Sequence, residues 1–453
     1  MPGSKVKKKL SSIKTSILSR SFSVAKMGIG AGLKYASTKI TNSSVDDYLV
    51  SQAESVSLEL GELKGSLMKA GQMLSMYGEY FFPPAANKFL KSLQSDSPAI
   101  EWSVMKQHLA QYLPAEVLNE LEVESEPIGC ASLGQVHKAR IISTGEWIAL
   151  KIQYPDVDKA IDSDVNALKA LLKITRLLPS GLDLNAIFEE IKSMLRQELD
   201  YENEAVLTKK YVEKLKNDPR YVIPLVFDRY SNKKVLATTY LDGFKADHNL
   251  IQGLSQKRRN KLSENFLELY LNEIFEWNLV QTDPHLGNYK IQIDPLGNDR
   301  IVLLDFGATS TFPEDFISGY RNMIKGSIQH DEKLFLKASK QLGFIIASDP
   351  KEYIEAFSEF CYGTVEPFWS PNDSRNTKGH VKPDGTYNWK QTDLPGRVVK
   401  KAMQFKNFDL RSPPKDILFV DRKTGGTFIF LAVLQADINA RKIIDPYLAK
   451  VKS

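Results

Sequence analysis

Q-T-D-P-H-L-G-N runs from Gln281 to Asn288, and an I-V-L-L stretch further on leads directly into D-F-G at Asp305 to Gly307. The first motif sets Asp283 five residues before Asn288; the second sets another aspartate at the end of a β-rich segment. A lone D-F-G occurs by chance in many chains. D-x-x-x-x-N followed by apolar residues and D-F-G constrains the fold far more tightly, because a loop and a strand end must both present polar groups. The set offers one carboxylate, at Asp283, to face an attacking oxygen. It also offers Asn288 and Asp305 to hold Mg2+, which are the parts that phosphoryl transfer requires.

At 453 residues the chain is long enough for two or three average domains, or for one two-lobed enzyme with extensions. Two cysteines, Cys130 and Cys361, make no disulfide framework and fit a reducing compartment. The six histidines show no zinc-site spacing with cysteine or acid. The net charge of +5 is unevenly placed: the first 40 residues hold nine Lys or Arg, and the first acid is Asp46. A cleaved secretory signal is disfavoured there, since the apolar stretch from Met27 to Leu33 is short and glycine-rich. An organellar transit peptide, a basic surface arm drawn to anionic lipid, and a solvated tail all fit residues 1–45. No run of 18 apolar residues occurs, so no membrane-spanning segment is expected. The late apolar run from Phe428 to Ala436 reads as a buried helix.

Residues 46–75 follow helical spacing, and Phe82-Pro83-Pro84 should stop that helix. Two further short helices are expected over 85–122, and the character changes to β at Ile128. Ser132 to Ile142 and Glu146 to Ile152 read as strands joined by a Ser143-Thr144-Gly145 turn. Helices follow at 158–178 and 185–215, then strands at 221–227 and 234–240. A mainly helical second half comes next, and 370–397 reads as a long polar surface loop. The expected class is α+β, with a small β-rich lobe before a helical one. The expected segments are an arm (1–45), a helical extension (46–125), an N-lobe (126–242) and a C-lobe (243–453).

Lys151 lies in W-I-A-L-K-I, an alternating run typical of a buried strand, where a lysine is costly without an anionic partner. It is expected to grip the phosphates of a nucleotide and to be positioned by a glutamate on a following helix. Candidate partners sit in R-Q-E-L-D-Y-E-N-E-A. If this is one helix, Asp200 and Glu204 share a face and Glu198 points elsewhere. The loop before Lys151 is P-I-G-C-A-S-L-G-Q-V-H rather than G-x-G-x-x-G. Gly129, Cys130, Ala131, Ser132 and Gly134, with Gln135 following, would still let backbone N–H groups approach phosphate. Alanine-like positions should make that loop stiffer. In the hinge-like V-L-A-T-T-Y-L-D-G, adenine recognition should rest on backbone groups near Tyr240. In the extension, L-M-K-A-G-Q-M-L sets Lys69 and Gln72 three apart on one helical face, with Gly71 permitting close packing.

Taken in order, Lys69-x-Gly71-Gln72, A-S-L-G-Q-V-H, A-L-K-I-Q-Y-P, E-L-D-Y-x-x-E-A, Q-T-D-P-H-L-G-N and L-L-D-F-G-A resemble the UbiB/AarF atypical kinase family. They span residues 55–310, and the likeness continues through R-K-T-G-G-T-F at 422–428. The branch resembled is that of the coenzyme Q proteins without a C-terminal membrane anchor. The resemblance implies a bilobal protein-kinase-like fold whose extension, with Lys69 and Gln72, packs over the protein-substrate site. It implies Mg2+ with ATP or ADP as cofactor, ATPase activity and membrane contact in support of ubiquinone biosynthesis. Glu198 and Asp200 match the family's E-x-D motif, proposed to meet the K-x-G-Q helix, and Glu204 matches the acid that pairs with Lys151. Implied partners are anionic lipid or quinone-biosynthesis intermediates and enzymes of that route; no nucleic acid is expected. The implied setting is peripheral, on the cytoplasmic face of a bacterial inner membrane or the matrix side of the mitochondrial one. Two departures stand out. Gly129 and Cys130 replace the first two alanines of the family's A-A-A-S loop, and Thr239 stands where an acid is common. Transfer to a protein, lipid or small-molecule hydroxyl, and an ATP-gated scaffold without turnover, are the alternatives to hydrolysis.

Overall fold

The computed structural model describes residues 65–81, 90, 99–131, 133–174, 184–402 and 415–449. The basic arm, most of the 46–75 helical reading and Ser132 lie outside the described residues. Two units emerge, Met1–Lys210 with Pro224–Tyr240, and Tyr211–Ile223 with Leu241–Ser453.

The first unit is built on a four-stranded antiparallel sheet in the order β1-β2-β3-β5. Its strands are β1 (Leu121–Cys130), β2 (Gly134–Ile141), β3 (Trp147–Gln153) and β5 (Val235–Thr239), while β4 (Tyr221–Val222) belongs to the second unit. The β2–β3 turn falls where Gly145 adopts φ +73°, a left-handed conformation that glycine accepts without strain. β1 differs from the expectation of helix up to residue 122. Its L-E-V-E-S-E-P-I alternation places acids and a proline on a sheet edge, where they discourage pairing with another chain.

Helix α1 (Ser66–Phe81) ends at the residue before Phe82-Pro83-Pro84. It buries Leu67, Ala70, Met73 and Leu74, an i, i+3 stripe, and Ser66 donates to the Asp164 carboxylate. Short helices α2 (Trp102–Leu109) and α3 (Ala115–Leu118) precede the sheet, and α4 (Val157–Ile174) and α5 (Leu184–Glu198) follow β3. The sequence reading of one helix over 185–215 is corrected: α5 stops at Glu198 and α6 (Tyr201–Leu215) starts afresh. Asp200 is the break. Its carboxylate accepts from Asn203 N at 2.9 Å and its carbonyl accepts the first helical bond from Glu204 N, so it caps α6 and stays exposed.

The second unit opens with α7 (Asn249–Gln252) and α8 (Gln256–Asn272), the latter burying Leu262, Phe266, Leu267, Leu269 and Tyr270. α8 runs into a π-helical turn, Glu273–Trp277, closed by Asn278 in the left-handed conformation. Strands β6 (Val280–Gln281), β7 (Tyr289–Gln292), β8 (Arg300–Leu303) and β9 (Thr309–Ser310) follow. β4-β8-β7 form one sheet and β6-β9 another. Next come α9 (Glu314–Gln329), α10 (Glu332–Gln341), α11 (Lys351–Thr364), β10 (Tyr387–Asn388), α12 (Leu394–Ala402), α13 (Lys415–Val433), β11 (Asp437–Ile438) and α14 (Ala440–Ala449). The run from Phe428 lies in α13, and the Phe430 ring stacks on Phe266 at 3.9 Å. The reading of 370–397 as a surface loop is corrected as well. β10 pairs with β11, and the polar segment tucks Val381, Tyr387 and Trp389 out of solvent. No helix among the described residues is long and apolar enough to cross a membrane.

Candidate active site

In the first unit, Lys151 sits mid-strand in β3, opposite Val136 of β2 and Leu236 of β5. Its Nζ lies 2.8 Å from both carboxylate oxygens of Glu204 and 5.1 Å from the centre of the Tyr201 ring. Glu204 reaches it because α6 docks on the sheet through Tyr201 and Ala205, packed against Leu236. The lysine side chain keeps 15% of its surface exposed and the glutamate 3%.

The loop expected to approach phosphate is the β1–β2 hairpin turn, closed by Ala131 N donating to Gly134 O at 2.9 Å. A Cβ at Gly134 would stand 2.5 Å from Ile152 O, so glycine there is required by the neighbouring strand itself. Gly129 is unobstructed and Cys130 is exposed. Gln135 stands at the start of β2, just after that turn. It is fully buried, with Oε1 accepting from Ile100 N and Nε2 facing Ile100 O and His137 Nε2, so its amide is spent inside the unit. Tyr240 donates its backbone N–H to Trp147 O at 3.0 Å.

Lys69 Nζ lies 2.9 Å from Glu198 Oε2, with the lysine side chain 6% exposed. The structure thus brings together the first residue of K-x-G-Q and the first of E-x-D. Gly71 is buried in the α1 interface, Gln72 is half-buried, and Asp200 is turned to its capping role.

In the second unit, the loop from Thr282 to Asn288 and the D-F-G segment are clasped by the β6–β9 pairing. Thr282 adds two hydrogen bonds of 2.7 Å to Ala308 O. β7 and β8 pair Tyr289 with Leu303, and one step further Leu304 N donates to Asn288 O at 3.0 Å. The register therefore sets Asn288 and Asp305 at the same end of one hairpin. Gly307 N donates to Asp305 Oδ1 at 3.1 Å. Asn288 Nδ2 donates to the Asp283 carbonyl at 2.9 Å, which makes Oδ1 the acceptor end of the amide. One carboxylate and one amide oxygen suit Mg2+, which keeps waters and takes further oxygens from phosphate. No cluster of three acids, histidines or cysteines fit for a metal occurs among the described residues.

Two residues were missed as functional candidates, Arg422 and Lys423 of α13. Arg422 Nη2 lies 2.5 Å from Asp283 Oδ1. Lys423, 1% exposed, lies 2.6 Å from Glu273 Oε2 and 3.5 Å from the Tyr289 hydroxyl. Both lie in V-D-R-K-T-G-G-T-F, where Asp421 and Thr424 flank them and nothing local marks Lys423 as buried.

The ABC1 atypical kinase-like domain profile matches residues 92–339, more than half of the chain. The protein belongs to the ABC1 atypical kinase-like family, and by family it is a kinase-type enzyme. It is 30% identical to the mitochondrial atypical kinase COQ8 of Saccharomyces cerevisiae over 97% of this chain and 86% of that protein. It is likewise 30% identical to the mitochondrial atypical kinase coq-8 of Caenorhabditis elegans, over 85% of this chain but only 49% of that protein. Against the AarF domain-containing kinase 1 of Drosophila melanogaster it is 32% identical over 62% of this chain. A solved structure described as the Rv3197–erythromycin complex from Mycobacterium tuberculosis shares the fold, with a TM-score of 0.58. That match has 22% identity and covers 89% of this chain and 98% of the other.

Proposed function

We propose that the protein binds ATP with Mg2+ and hydrolyses it in support of ubiquinone biosynthesis, as a peripheral protein on the matrix side of the mitochondrial inner membrane. The family membership and the relatives named as mitochondrial COQ8 kinases support this setting. In this reading Lys151, steadied by Glu204, holds nucleotide phosphates, and the backbone from Gly129 to Gly134 lies against them. Asn288 and Asp305 hold the metal, which when bound would neutralise charge on the phosphate oxygens. Asp283 orients the attacking water. Lys69 and Glu198 tie the extension helix to α5, keeping K-x-G-Q in place. Anionic lipid or quinone intermediates are the proposed partners.

The observation that carries the reading is the β7–β8 hairpin, whose register sets an amide oxygen and a carboxylate at one end beside the Asp283 loop. Asp305→Asn should remove the thermal stabilisation given by Mg-ATP while leaving the nucleotide-free Tm near wild type. An unchanged shift in Tm with Mg-ATP would sink the assignment.

A further inference from the structure

Helix α13 touches the Asp283 loop at two places. Arg422 reaches the Asp283 carboxylate. Gly426, one turn on and on the same helical face, lies so close to Pro284 that a Cβ would stand 2.3 Å from its Cγ. Lys423 points to the other side, into the core, where its ammonium meets Glu273 and the Tyr289 hydroxyl.

From Tyr289 a chain of polar contacts returns to the loop. The Tyr289 hydroxyl donates to Gln281 Oε1 at 3.0 Å, which leaves Gln281 Nε2 to donate to the Asp283 carbonyl at 2.7 Å. Asn288 Nδ2 and His285 N donate to the same oxygen at 2.9 and 2.8 Å. Three donors thus converge on one carbonyl, and one of them is oriented through a lysine on a helix more than 130 residues away in sequence. Burying an ammonium and a carboxylate together is expensive, and well-packed apolar residues often do as well for stability. A buried pair wired to a loop of polar residues has a different use.

We propose that α13 is the positioning element of the Asp283 loop. Arg422 orients the carboxylate, and Lys423, acting through Tyr289 and Gln281, fixes the main chain. The role assigned to Arg422 and to turnover rests on the reading of Asp283 as the residue that orients the nucleophile. The main-chain brace stands on geometry alone.

The test uses the full chain with Tyr289→Phe, which deletes only the hydroxyl, and with Lys423→Met combined with Glu273→Leu, which removes the pair without stranding a charge. Arg422→Gln and Arg422→Lys complete the set. Three quantities are read: kcat for ATP hydrolysis, Kd for Mg-ATP, and amide hydrogen exchange at His285 and Asn288 in nucleotide-free protein. Tyr289→Phe and the paired variant should speed exchange at those amides by about tenfold or more. They should lower kcat by about tenfold with Kd within about twofold, the signature of misplacement rather than lost binding. Arg422→Gln should lower kcat without changing exchange, and Arg422→Lys should recover part of the loss. Unchanged exchange in both relay variants, or a fall in kcat matched by a rise in Kd, overturns the proposal. If wild type shows no Mg-ATP binding while the exchange responses appear, the functional reading falls and the brace remains.

Discussion

Two lysine–glutamate pairs, Lys151–Glu204 and Lys423–Glu273, close at 2.8 and 2.6 Å, and each joins a helix to a different element. In the first, the lysine stands on a strand with 15% of its side chain open to solvent and an aromatic face beside it. In the second, both side chains are sealed, at 1% and 2% exposed. Burial pushes the Glu273 carboxyl up, even though Lys423 and the Tyr211 hydroxyl draw it down. The carboxylate of that pair therefore gains less from its partner than it loses by leaving water. An open pair can exchange its partner for an incoming phosphate. A sealed pair cannot, and its value lies in what its atoms hold still.

The largest effect should separate the pairs outright. Lys423→Met alone strands a buried carboxylate and should cost about 3–5 kcal/mol in urea unfolding, whereas adding Glu273→Leu should recover most of the loss. Equal losses in the single and double variants would erase the distinction. Lys151→Met should cost somewhat less, about 3 kcal/mol: Glu204 is itself only 3% exposed, but water can enter where the 15% exposed lysine stood. Its stronger effect should be on ligand response: Mg-ATP should no longer raise Tm. A variant that kept the wild-type response would make Lys151 a second structural lysine.

The smallest effect calibrates what a sealed acid does away from the site. Burial raises the Asp373 carboxyl, but hydrogen bonds from Arg375, its backbone N–H and His330 outweigh that and hold it at about 2. A depressed carboxyl stabilises the fold at pH above its ordinary value of 3.8, and that contribution fades as pH falls towards 2. Asp373→Asn should flatten the acid limb of a stability–pH curve within that window. An unaltered limb would show that the surrounding donors hold the segment without the charge.

Much of the site could be read from local spacing. D-x-x-x-x-N with D-F-G announced the hairpin because both motifs border alternating apolar residues, and Lys151 announced itself by standing inside such a run. The break at Asp200 was missed because helical periodicity persists across it; a capping aspartate looks like any acid on a helix face. β1 was missed because an edge strand carries the charges that usually mark loops. Gln135 stood at the start of an expected strand, with nothing to show that its amide satisfies the backbone at Ile100, far off in sequence. Arg422 and Lys423 were invisible for the same reason: no local pattern reveals that a helix near the end of the chain meets a loop at 281–288. The polar 370–397 segment likewise hid Tyr387 and Trp389, whose burial depends on β11 and α13.

The β7–β8 hairpin acts as a calliper whose jaws are Asn288 and Asp305. Their spacing is set by ladder rungs, with Tyr289, Ile291, Ile301 and Leu303 buried so that slipping by one residue would turn apolar side chains to water. The turn at the far end, where Leu296 is 87% exposed, lies beyond four paired rungs from the jaws. It is the point at which a short insertion could be made without changing the spacing of Asn288 and Asp305.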